Sequence, residues 1–130
     1  MKHERSLARI LVVNDVEETR DGLEALLTAD GYRVDPARSE ADAVERARRD
    51  PPALILLSLN GSQDDWAASA GRIRAGAELD ASVPIVLFCV EAIPEGAEVQ
   101  IAESTYLIRP DNFDQLRRFL RSLVDAAAPV

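Results

Sequence analysis

The chain has 130 residues, of which 47% are hydrophobic, and a formal net charge of −8. That is enough for one domain with a single real core, and the acidic balance argues against a nucleic-acid partner, which needs a basic stripe. No apolar run approaches the ~20 residues of a bilayer span, and a lone cysteine, Cys89, excludes an internal disulfide and fits a reducing cytoplasm. The charged start Met1-Lys2-His3-Glu4-Arg5 lacks the apolar centre of a signal peptide. A single histidine leaves little for His-based catalysis or zinc.

Arg9-Ile10-Leu11-Val12-Val13 reads as a buried strand that stops at the turn formers Asn14-Asp15. Glu17 to Ala29 reads as a helix with acids in its first turn, a stripe of Leu23, Ala25, Leu26 and Leu27, and Asp30-Gly31 closing it. Tyr32-Arg33-Val34 is a short second strand. Ser39 caps a helix that runs to about Arg49, with Asp42 completing a near capping box. Pro51-Pro52 stops any helix, so Leu54-Ile55-Leu56-Leu57 reads as a strand buried on both faces that ends at Ser58. A helix then starts at Asp64 or Asp65, where the acids serve as caps, and ends near Gly76.

Pro84 to Phe88 is the fourth strand, ending at Cys89. Pro94 to Ala102 reads as a poor, short helix because it contains Gly96. Thr105 to Ile108 is the fifth strand, closed by Arg109-Pro110. Asp111 or Asn112 caps a last helix whose stripe is Phe113, Leu116, Phe119, Leu120, Leu123 and Val124, with Arg117, Arg118 and Arg121 on its charged face. Five alternations of strand and helix predict an α/β fold: a flavodoxin-like (βα)5 doubly wound parallel sheet with strand order 2-1-3-4-5. The whole of 1–130 is one domain with a core over about 8–124. In such sheets ligands sit at the carboxyl ends of the central strands, which puts Ser58 at the expected site.

The stretches Ile10 to Asp15, Leu54 to Asn60, Pro84 to Cys89 and Tyr106 to Pro110 resemble, in order and spacing, the signature stretches of response-regulator (CheY-like) receiver domains. The resemblance runs from about Ala8 to Leu123. It implies a phosphorelay signalling domain whose aspartate, ending the third strand, takes a phosphoryl group from a histidine kinase. Here that position is Ser58. The acidic pair that holds Mg²⁺ is Asn14 and Asp15, with a further ligand at the main-chain carbonyl of Asn60. The switch hydroxyl position is Cys89, the switch aromatic is Tyr106, and the charge-neutralising lysine is Arg109. Trp66 stands where the family often has glycine, and the segment before Thr105 is about two residues short of the family norm.

A carboxylate accepts phosphoryl while ionised, whereas a serine hydroxyl must first lose a proton to a nearby base, for which only Asp15 is at hand. Mg²⁺ wants several hard oxygens, carboxylates among them, and one carboxylate is left, so metal binding is expected to be lost or weak. The simplest rearrangement is an Asp15–Arg109 ion pair. The reading is therefore a degenerate receiver, a pseudo-receiver that is not an enzyme, needs no cofactor and acts by binding protein. A histidine kinase or another signalling protein would dock on the last two helices and fifth strand, with a homodimer left open. The alternatives are a conventional phosphorelay receiver with an atypical site, and a flavodoxin-like small-molecule binder or enzyme. The latter wants a phosphate-cradling loop, which Asn14-Asp15-Val16-Glu17, with no glycine and two acids, does not supply.

Overall fold

The first strand, β1 (Arg9–Asn14), is followed by α1 (Glu17–Ala29), β2 (Arg33–Ala37), α2 (Glu40–Arg49), β3 (Leu54–Ser58) and α3 (Gln63–Gly76). The chain continues with β4 (Ile85–Phe88), β5 (Glu98–Ala102), β6 (Thr105–Ile108) and α4 (Phe113–Ala127). The computed structural model describes residues 8–58, 63–88 and 93–127. One six-stranded sheet runs in the order β2-β1-β3-β4-β6-β5. The five strands from β2 to β6 pair in parallel, and they reproduce the expected doubly wound order. β5 is added antiparallel to β6 at the sheet's edge.

Alternation along the strands sends side chains to two separate cores. Leu11, Val13, Ile55, Leu57, Ile85, Leu87 and Leu107 face Ala43 and Ala47 of α2 and Ala70 and Ile73 of α3. Ile10, Val12, Leu54, Leu56, Val86 and Ile108 face Leu23 and Leu27 of α1 and Leu116, Leu120 and Val124 of α4. Each fully buried leucine or isoleucine contributes roughly 1.5–3 kcal/mol relative to exposure. β3 is apolar on both faces because it lies in the middle of this arrangement.

Local chemistry sets the ends of the elements. α1 closes on Asp30 and Gly31, with Gly31 at φ 96°. The Ser39 hydroxyl accepts the Asp42 N–H at 3.1 Å, and the Asp42 carboxylate accepts the Arg38 N–H at 3.1 Å. The Asn112 side chain accepts the Gln115 N–H at 2.9 Å and caps α4. α3 opens at Gln63, which puts Asp64-Asp65 inside its first turn instead of at the cap. β2 runs later than the expected Tyr32–Val34 and carries Pro36, which an edge strand tolerates.

One element corrects the expected pattern. The short helix anticipated over Pro94 to Ala102 is a turn followed by the strand β5. Gly96 sits at φ 85° in that turn, where the Ala97 N–H donates to the Pro94 carbonyl at 3.0 Å. Glu98-Val99-Gln100-Ile101 then alternates polar and β-branched residues, which suits a strand. Glu103 and Ser104 make the hairpin turn, with Ser104 at φ 58°. β6 would otherwise have a bare edge, and pairing with it satisfies backbone groups that a poor helix could not have covered.

Candidate functional site

Asn14 ends β1 and Ser58 ends β3, and the two are direct neighbours in register. Phe88 and Ile108 end β4 and β6 beside them, and Arg109 follows Ile108. The parallel sheet thus brings Asn14, Asp15, Ser58 and Arg109 to its carboxyl edge, the place expected from the sequence. Cys89 and Asn60 lie outside the described residues.

Asn14 is buried, 3% exposed. Its Oδ1 accepts the Val16 N–H at 2.7 Å, and its main-chain oxygen accepts Arg20 Nη1 at 2.8 Å. The side chain therefore starts α1, whose N-cap residue Val16 has no capping side chain of its own. A neutral amide suits this burial, because an ionised carboxylate here would need a cation to offset its desolvation. Asp15, one residue on, is exposed.

Arg109 is half-buried, and its Nη1 donates to the Ile93 carbonyl oxygen at 3.0 Å. Its main-chain N–H donates to Ala97 at 3.0 Å, and its carbonyl accepts the Gly96 N–H at 2.6 Å. The expected Asp15–Arg109 ion pair is not among the ion pairs of the described residues. The hairpin that replaces the expected helix lays the Ile93–Ala97 segment against Arg109 and supplies it with a carbonyl acceptor. Tyr106 is half-buried and meets Phe119 edge-on, with centroids 5.7 Å apart and planes at 82°. Trp66 is half-buried and packs against the α2/α3 core.

These residues do not fit a Mg²⁺ ion of the receiver kind. Asp15 brings the one carboxylate among Asn14, Asp15 and Ser58, and the Asn14 side-chain oxygen is already engaged by Val16. Among the described residues no three His, Cys, Asp or Glu side chains converge to hold a metal.

The half-buried Ser58 opens instead onto an apolar cleft of ≈ 430 Å³, lined also by Thr19, Gly22 and Leu26 of α1, Phe88, and Phe113. Phe113 is 59% exposed, which removes it from the expected core stripe of the last helix. It is the first residue of α4 and lines the cleft together with Ser58 and Phe88 of the sheet. Sequence reasoning missed this cleft. Its one sequence signal is Gly22, a helix-interior glycine that costs roughly 1 kcal/mol against alanine and leaves open space beside α1.

No family model matches the chain. It is 31% identical over 134 residues to the transcriptional regulatory protein ZraR of Escherichia coli K12, covering 92% of this chain and 28% of the relative. The chain thus spans about a quarter of the length of that relative. The receiver domain of a sensor histidine kinase from Pseudomonas aeruginosa PAO1, with a magnesium ion coordinated in its active-site cleft, superposes with a TM-score of 0.69 at 25% identity. That match covers 92% of this chain and 98% of the other. A signal receiver domain of a histidine kinase from Syntrophus aciditrophicus superposes with a TM-score of 0.73 over 95% and 94% of the two chains, at 18% identity, a likeness of fold alone. Among the described residues no helix is long and apolar enough to cross a membrane.

Proposed function

We propose that this chain, a response-regulator receiver domain of two-component signalling by its fold and its sequence relatives, is a degenerate one that signals by protein binding and not by aspartyl phosphorylation. The observation that carries this reading is the Asn14–Ser58 pair at the ends of β1 and β3. In place of two carboxylates the pair offers an amide tied to the Val16 N–H and a hydroxyl facing an apolar cleft. Neither group attacks phosphohistidine at neutral pH without a base, and one Nη1–H of Arg109 is given to the Ile93 carbonyl. Four altered positions of the receiver pattern, Asn14, Ser58, Cys89 and Arg109, fit the loss of one activity better than four independent changes.

A protein partner, a histidine kinase among the candidates, would find exposed apolar groups beside the old site. Phe113, which lines the cleft, is 59% exposed, and Val16 at the start of α1 is 46% exposed. The test is incubation with acetyl phosphate and Mg²⁺, read by intact mass. No added phosphoryl mass is the expected outcome. A Mg²⁺-dependent gain of one phosphoryl group, mapped to the Ser58 peptide, would establish a working receiver instead.

A further inference from the structure

We infer that β5 is a self-pairing edge: two copies of this chain join antiparallel through Glu98–Ala102, about a two-fold axis at Val99, into one continuous sheet. This does not rest on the state of the Ser58 site.

The inference starts from backbone direction. The Arg109 N–H donates to the Ala97 carbonyl, so Ala97 faces β6. Alternate residues in a strand turn their N–H and C=O the same way. Val99 therefore also faces β6, and Glu98 and Gln100 turn their backbone groups outward. All five residues of β5 are exposed, with Val99 at 38% and Ile101 at 36%. β5 holds no proline or lysine, the usual guards of an edge.

Few symmetric registers are available. Centring on Glu98 sets two carboxylates face to face, which repel. Centring on Gln100 runs through the irregularity that lies between Gln100 and Ala102. Centring on Val99 uses the regular part of the strand. Glu98 then meets Gln100 of the second copy in a hydrogen-bonded pair, twice by symmetry, and the Gln100 amide can donate to the Glu98 carboxylate. Val99 meets its own copy in a non-hydrogen-bonded pair, where Cα atoms lie about 4.5 Å apart. Ala97 meets Ile101. No like charges face each other within this segment.

A strand edge is a small interface, below the ~1,200 Å² typical of stable complexes, so the dimer is weak. The charge of −8 on each copy opposes it and salt screens that repulsion. Dimerisation should therefore strengthen as ionic strength rises.

Sedimentation equilibrium of the full chain, from about 10 μM to about 1 mM and from about 0.05 M to about 0.5 M NaCl, tests this. A monomer–dimer equilibrium that tightens with salt is expected. Gln100→Pro removes an outward N–H while leaving the bonds to β6 in place, and should give a folded monomer by circular dichroism. Val99→Cys in a Cys89→Ser background should oxidise to a disulfide-linked dimer, because the facing Cα distance suits a disulfide. A parent that stays monomeric throughout, or that forms species larger than dimers, overturns the inference. So does a folded Gln100→Pro protein that still dimerises, or a Val99→Cys protein that does not cross-link. If Gln100→Pro fails to fold, the cross-link decides alone.

Discussion

β2 and β5 are the two edge strands of the same sheet, and their free backbone groups are guarded differently. β2 carries Pro36, which offers no N–H to an incoming strand. Its Asp35 carboxylate is held between Arg9 of β1 and Arg46 of α2, with Arg46 Nη1 at 2.6 Å. α2 follows directly and covers one face. β5 has no following helix, exposes Val99 and Ile101, and has one irregularity as its only disruption. A βα unit supplies its own cover, whereas a hairpin added in place of a helix leaves an edge that another strand can use.

The largest effect should come from the part both edges hang on. Leu56 of β3 is fully buried, and Leu56→Ala should cost about 2–5 kcal/mol by lost burial and a residual cavity. Urea unfolding should show a lower midpoint with little change in slope. A shift under about 1 kcal/mol would mean that β3 is not the common support of the two edges.

Gly96→Ala attacks the β5 side alone. At φ 85° a side chain is strained, and the new Cβ would lie 3.1 Å from Asp111 Oδ2. A loss of about 1–3 kcal/mol is expected, with faster amide exchange at Val99 than at β1. Equal exchange at both would show that the hairpin does not open separately from the parallel sheet.

Ser39→Ala attacks the β2 side by removing the acceptor for the Asp42 N–H. The expected cost is about 1 kcal/mol, with exchange at β5 unchanged. Faster exchange at β5 in this variant would break the comparison, since the two edges would then be coupled through the sheet.

The smallest effect concerns pH. A hydrogen bond from Arg72 holds the Glu40 carboxyl below its ordinary range, against the opposing effect of burial and with help from the Ser69 hydroxyl. The folded pKa lies below the unfolded one, so this contribution is present above the unfolded carboxylate range and is lost as pH falls through the folded pKa. Glu40→Gln should be slightly less stable near pH 7 and should lose less on acidification to about pH 3. Parallel urea titrations that keep a constant difference between parent and variant would show that the ion pair adds nothing.

Most of the parallel sheet was legible along the chain because its signals are local. The strands β1, β3, β4 and β6 coincide with short apolar runs, and Ser39 and Gly31 mark helix ends by their own chemistry. The site's makeup was legible for the same reason, since strand ends converge wherever a parallel sheet forms. Asn14 beside Ser58 follows from that rule. Phe113 was misread because a helical stripe gives direction around the axis but says nothing of how much packing its first residue finds at the helix's end.

Side-chain period, caps and turn residues thus determined the order of strands and helices, the sheet's direction and the residue types at its carboxyl edge, because each acts within a few residues of chain. Tertiary structure decided what Glu98–Ala102 becomes, for a short alternating segment takes the form whose hydrogen bonds a neighbour completes, and β6 was that neighbour. The same choice decided Arg109. The convergence of strand ends offered it Asp15, but the hairpin put the Ile93 carbonyl within reach, and a guanidinium bonds to the acceptor that the fold brings to it.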